Sequence, residues 1–166
     1  MESETIMAES GDNSKAALIE ALNGALADHL ALYVKTKNFH WHVSGPRFRD
    51  LHLLFDEQAK QLIGLVDIIG ERVRKNGEAT MTSIASIAGA TRIADQDDPD
   101  LSAQAMMEEL LADNRTLHAR LGEVKQTSEA ANDYATNGMV DEWIDQTEER
   151  IWFLSQAAKQ SGETVA

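Results

Sequence analysis

The chain has 166 residues, 43% of them hydrophobic, which suits one globular domain with a real core and leaves too little chain for two. It contains no cysteine, which excludes disulfide frameworks, thiolate metal sites and cysteine nucleophiles and agrees with a reducing cytoplasm. A net charge of −13 disfavours binding to nucleic acid, which rests on Lys and Arg neutralising phosphates, and attracts cations instead.

In chain order, residues 1–13 read as a flexible acidic tail. They lack the basic stretch followed by an apolar one that marks a signal peptide. Ser14, after Gly11-Asp12-Asn13, is the expected N-cap of a first helix running to about Trp41, with Leu18, Leu22, Ala25, Leu26, Leu30 and Tyr33 on a 3.6-residue stripe. Val43-Ser44-Gly45-Pro46 breaks the pattern. A second helix is expected from about Arg47 to Asn76, with Leu51, Leu54, Phe55, Leu62, Leu65, Val66 and Ile69 inward and a basic last turn of Arg72, Arg74 and Lys75. Residues 78–97 form a long connection with one short helix around 81–87. Asp98 as N-cap with Pro99 at the first position then opens a third helix to about Gln126. A fourth is expected from about Asn137 to Gln160, before a short tail of residues 161–166. No strand alternation, internal repeat or run of 18 apolar residues is present, so no segment is expected to span a membrane. The expectation is an all-α domain over 14–160. It is a four-helix bundle whose long crossover runs the length of the bundle and makes the second and third helices parallel, the ferritin-like topology.

His52 and Asp56 stand at i, i+4, and so do Asp67 and Glu71, so each pair shares a helix face. Eleven residues, close to three turns, separate Asp56 from Asp67. The pairs therefore point in nearly the same direction but lie roughly 16 Å apart along the axis. A first-row metal needs ligands within about 2.0–2.2 Å. One chain thus carries two half-sites, which a second, antiparallel copy could complete. His40 lies at the end of the first helix, and a carboxylate at Asp67 within the apolar run Ile63–Gly70 is costly to bury unless paired or coordinated. The blander alternatives are a His40 meeting terminal carbonyls, a surface His52 and a Glu71 paired with Lys75. No histidine has a Glu three positions before it, which argues against a di-iron site inside a single bundle.

The segment Asn38 to Gly77 resembles the signature of the Dps family, the miniferritins. His40-Trp41, Gly45, Phe48, His52, Asp56, Asp67, Glu71 and Arg72 fall at the family's intervals, and the similarity extends over nearly the whole chain. The resemblance implies a ferroxidase centre between two-fold-related subunits, with His40, His52 and Asp56 from one chain and Asp67 and Glu71 from the other. It further implies hollow dodecamers that oxidise Fe(II), preferably with hydrogen peroxide, store the ferric mineral and protect the cell from oxidative damage; the cytoplasm is the expected address by default. Trp41 would be a trap for oxidising radicals, or else simply core packing. Imidazole and carboxylate ligands suit iron, and zinc could compete for them. His42 replaces the family's frequent Asn and lies about 200° from His40 on a helix, outside the metal's ligands.

The resemblance is weakest at the tails and the pore. Family DNA binding rests on Lys-rich tails, whereas residues 1–15 carry Glu2, Glu4, Glu9 and Asp12 against Lys15 alone, so DNA binding is expected to be weak or absent. Iron entry through acidic pores suggests Asp141, Asp145 and Glu148, although Gly138 stands where the family often has Asp, and a merely solvated acidic face is the alternative. Two other readings stay open: a nucleoid-binding structural protein and a non-redox, metal-binding helical bundle.

Overall fold

The computed structural model describes residues 2–160, with side chains described from residue 13 onward. It contains α1 (Glu2–His42), α2 (Phe48–Lys75), α3 (Ile84–Ala90), α4 (Ala103–Ala130) and α5 (Tyr134–Ala157), with no strand among the described residues. The bundle with a helix-bearing crossover is therefore present, and its ends show where local chemistry overrides pattern. The expected N-cap at Ser14 is not used. Helix α1 begins at Glu2 and runs through Gly11-Asp12-Asn13, so no boundary appears between residues 13 and 14. A glycine inside a helix costs only about 1 kcal/mol, and propagating an existing helix is cheap. The expected tail of residues 161–166 lies outside the described residues.

The turn between α1 and α2 depends on Gly45 at φ 101°, and Phe48 N–H donates to the Gly45 carbonyl at 3.0 Å. Ser83 and Ser86 form a reciprocal capping box that starts α3 within the crossover. The third long helix begins four residues later than Asp98-Pro99 implied. The Asp98 carboxylate accepts from Asp100 N–H at 2.9 Å and satisfies a turn, while Ser102 caps α4 by accepting from Ala105 N–H at 3.1 Å. Helix α4 also runs on to Ala130, and α5 starts at Tyr134 because Asp133 caps it by accepting from Thr136 N–H at 3.1 Å.

Side-chain pairings fix the directions. Lys37 meets Asp56 and His40 meets His52, so α1 and α2 are antiparallel. Lys35 meets Asp113 and Asp28 meets Arg120, so α1 and α4 are also antiparallel. Helices α2 and α4 are therefore parallel, as the length of the crossover requires. The core between the helices includes Leu18, Leu22, Phe39, Phe55, Leu62, Ile69, Met106, Leu117, Leu121 and Trp143, all fully or almost fully buried.

Two polar clusters lie within this core. Asp28, wholly buried, accepts from Arg120 Nε (3.0 Å), Thr91 Oγ1 (2.8 Å) and Arg92 N–H (2.7 Å), which straps the crossover to α1 and α4. The Arg120 guanidinium lies against Gly24, where a Cβ would come within 2.5 Å of its carbon. Deeper in, buried His29 donates from Nδ1 to the Ala25 carbonyl at 2.7 Å, and its Nε2 has no partner. Burial, offset in part by that bond and reinforced by the nearby Arg150 charge, pushes its pKa down to about 4. Arg150 is itself held by neutral acceptors, Asn114 Oδ1 at 2.8 Å and Thr147 Oγ1 at 2.9 Å.

Candidate metal centre

The end of α1 carries His40, and the first three turns of α2 carry His52 and, one turn on, Asp56. The two imidazoles stack, with centroids 3.8 Å apart and planes within 17°. His40 Nδ1 lies 2.6 Å from the His52 carbonyl, and His52 Nδ1 lies 2.7 Å from the His40 carbonyl. A carbonyl can only accept, so each Nδ1 donates, and the tautomer with its proton there carries its lone pair on Nε2. That is the tautomer a metal ligand needs, fixed by backbone rather than by a movable side chain. Phe48 stacks on the His52 ring at 5.1 Å and further limits its rotation.

Asp56 is held differently. Lys37 Nζ, from α1, donates to its Oδ1 at 2.9 Å, and Lys60 Nζ, one turn along α2, lies 2.8 Å from its Oδ2. Hydrogen bonds from Lys60 and Lys37 hold the Asp56 carboxyl well below the usual carboxylate range. The carboxylate is thus charged and oriented, and a cation reaching it competes with two ammonium groups. Neither lysine emerged from the sequence. Lys60 stands at i+4 from Asp56 and could have been found by spacing, whereas Lys37 is placed only by the α1–α2 register.

Asp67 and Glu71 lie farther along the same unbroken helix, exposed, and form no hydrogen bond or ion pair among the described residues. The possible Glu71–Lys75 pair is not formed. Asp67 is not buried in the single chain; exposed Ile63, Gly64 and Ile68 surround it in sequence. The structure brings His40 and His52 together, with Asp56 one turn along α2, and leaves Asp67 and Glu71 about 16 Å farther along the helix. Among the described residues no group of three His, Asp or Glu is placed to hold a metal ion within one chain.

Trp41 is 65% exposed, so it is not a core residue of the chain, and Lys37 Nζ lies 5.8 Å from its ring centroid. His42 donates from Nδ1 to the Asn38 carbonyl one turn back, at 2.8 Å, apart from the stacked pair. Of the pore candidates, Asp141 pairs with Lys125 (2.8 Å) and Glu148 with His118 (2.8 Å), both on α4, while Asp145 is exposed.

The chain matches the family model of the ferritin-like domain over residues 19–161. It is 32% identical over 133 residues to the DNA protection during starvation protein of Brevibacillus brevis, covering 80% of this chain and 89% of the relative. The crystal structure of Dps from Thermosynechococcus elongatus superposes with a TM-score of 0.88 at 22% identity, covering 94% of this chain and 99% of that one. The Dps protein of Vibrio cholerae O1, described as a member of a broad superfamily of ferritin-like diiron-carboxylate proteins, gives 0.83 at 24% identity, covering 89% and 92%.

Proposed function

Because this chain belongs to the ferritin-like family and, within it, to the Dps proteins, we propose that it is a miniferritin that oxidises Fe(II), preferably with hydrogen peroxide, and stores the Fe(III) mineral inside a hollow dodecamer. The reading is supported above all by the reciprocal lock of His40 and His52, whose Nδ1 atoms each meet the other's carbonyl and so leave Nε2 as the nitrogen for a metal, with Asp56 one helical turn beyond His52 on α2. Iron is the substrate. His40, His52 and Asp56 of one subunit bind it, and Asp67 and Glu71 of a two-fold-related subunit complete the site, which accounts for two carboxylates left unpaired on an exposed face. Each of two Fe(II) ions gives one electron to peroxide, whose O–O bond breaks to two waters on uptake of two protons. Carboxylate oxygens favour the harder ferric product. Paired delivery of electrons limits release of hydroxyl radical, and Trp41, exposed next to His40, intercepts what escapes. Zinc competes for the same donors.

Entry through a pore bearing Asp141, Asp145 and Glu148 is part of the same reading, with Lys125 and His118 already paired to two of them. The reading places the protein in the cytoplasm as a protectant against Fe(II) and peroxide, acting without tight DNA binding because its terminal segments carry few basic residues. No helix among the described residues is long and apolar enough to cross a membrane. The test is His52→Ala. It should sharply reduce peroxide-dependent Fe(II) oxidation while the assembly stays intact; a wild-type rate would dismiss the site assignment.

A further inference from the structure

Asp67 and Glu71 lie on a stretch of α2 that is weakened by glycine. Gly64 and Gly70 both fall inside it, and after proline glycine is the residue least favourable to a helix. A Cβ on Gly64 would meet nothing within 4 Å, so close packing does not explain the missing side chain. Toward α1 the stretch is anchored by buried Leu65, Ile69 and Val73. Toward α5 it borders an open cleft of about 340 Å³ lined by Gly64, Leu65, Ile68, Met139, Trp143 and Gln146. Polar bridges cross the α2–α5 seam at both ends of this gap. One joins Gln61 to Glu149 (3.1 Å) and to Arg150 (3.3 Å). The other begins one residue after Glu71.

There, Arg72 donates from Nε to Thr136 Oγ1 at 2.8 Å and from Nη2 to both oxygens of Asp133, at 2.9 and 3.0 Å. Asn76, the residue that ends α2, donates to the same carboxylate at 3.1 Å, and that carboxylate also caps α5. One carboxylate therefore fixes the C-terminus of α2 to the N-terminus of α5. Arg72 and Asp133 are each only 12% exposed, so the contact is sheltered from water and salt.

We propose that Arg72 and Asp133 are positioning residues for the Asp67–Glu71 half-site, clamping a glycine-weakened stretch of α2 so that both carboxylates reach the partner subunit's histidines in register. The inference rests on the ferroxidase reading of those carboxylates. Neither residue touches the metal; each sets where α2 presents its ligands. Loss of the clamp frays the last turns of α2, and the two carboxylates must then be ordered each time iron binds.

The test uses the whole assembled protein, loaded anaerobically with increasing Fe(II) and then mixed with stoichiometric hydrogen peroxide. In Arg72→Met the Fe(II) concentration for half-maximal rate should rise about tenfold, the usual scale for loss of a group that orients a metal ligand. The rate at saturating Fe(II) should stay within about twofold, since chemistry at the filled site is unchanged. Asp133→Asn keeps an N-cap for α5 but loses the charge, and should move the half-saturation the same way by a smaller factor. A purely structural clamp would lower the melting temperature and leave half-saturation where it was; that result in either assembled variant overturns the proposal. If Arg72→Met does not assemble, Asp133→Asn decides between the same two outcomes. His52→Ala run alongside separates the failures: a wild-type rate there overturns the ferroxidase reading itself.

Discussion

His29 should make the bundle sensitive to mild acid. Its folded pKa of about 4 lies below the value of 6.5 for an exposed imidazole, because burial removes the charged form from water and Arg150 adds repulsion. The unfolded chain therefore takes up a proton in the range where the folded chain does not. Stability is fully present above pH 6.5 and falls as pH drops toward 4. Linkage between those two pKa values puts the loss at about 2 kcal/mol per chain from pH 8 to pH 5, and about 3 kcal/mol once pH is below 4. Asp133, whose carboxyl sits at about 2, contributes in the opposite pH range: its stabilisation is intact above pH 4 and is lost only toward pH 2. Guanidinium denaturation followed by far-UV circular dichroism at pH 8 and pH 5, at one protein concentration, measures the difference. In His29→Leu the pH-dependent loss should largely disappear. An equal loss in wild type and variant would refute this account of His29.

Arg120→Met should be among the most damaging single changes away from the candidate metal centre. It strands the wholly buried Asp28 carboxylate, at a cost of about 3–5 kcal/mol, readable as a drop in thermal midpoint. Gly24→Ala presses a methyl onto the same guanidinium and should cost about 1–3 kcal/mol by overpacking in the same thermal scan. Lys37→Met removes the ammonium on Asp56 Oδ1 and should tighten binding of Zn(II), measured by calorimetry on the assembled protein; weaker binding would mean that the lysine supports the site rather than competing for it. Charge reversal of both Asp141 and Asp145 should slow iron uptake and spare assembly, and unchanged uptake would remove them from the pore.

The helices were legible because the apolar stripe and the breaks at Gly45-Pro46 and Asn76-Gly77 are local signals. Their ends were less so. Asp98-Pro99 looks like a helix start, but the Asp98 side chain is satisfied within its own turn, and the cap falls to Ser102. Gly11-Asp12-Asn13 looks like a break, yet one continuous helix absorbs it. The two i, i+4 pairs on α2 could be read directly, since helical spacing alone puts each on one face. The surroundings of the site could not. Lys37 on Asp56 depends on the register between two helices, and the Arg72–Asp133 clamp joins residues 61 positions apart. Nor could any single chain bring His40, His52 and Asp56 together with Asp67 and Glu71, because the intervals along α2 hold the two i, i+4 pairs apart. The pairing of His40 with His52 was implied by resemblance, but the tautomer followed only from seeing which carbonyl each Nδ1 meets.

The most direct test of the central claim is an anaerobic Fe(II) titration followed by stoichiometric hydrogen peroxide, with ferric absorbance recorded against a protein-free control and the product passed over a sizing column. A ferroxidase that stores its product should oxidise Fe(II) rapidly, with soluble ferric iron co-eluting with a large shell. Oxidation no faster than the control would contradict it and leave a helical bundle that binds metal without oxidising it.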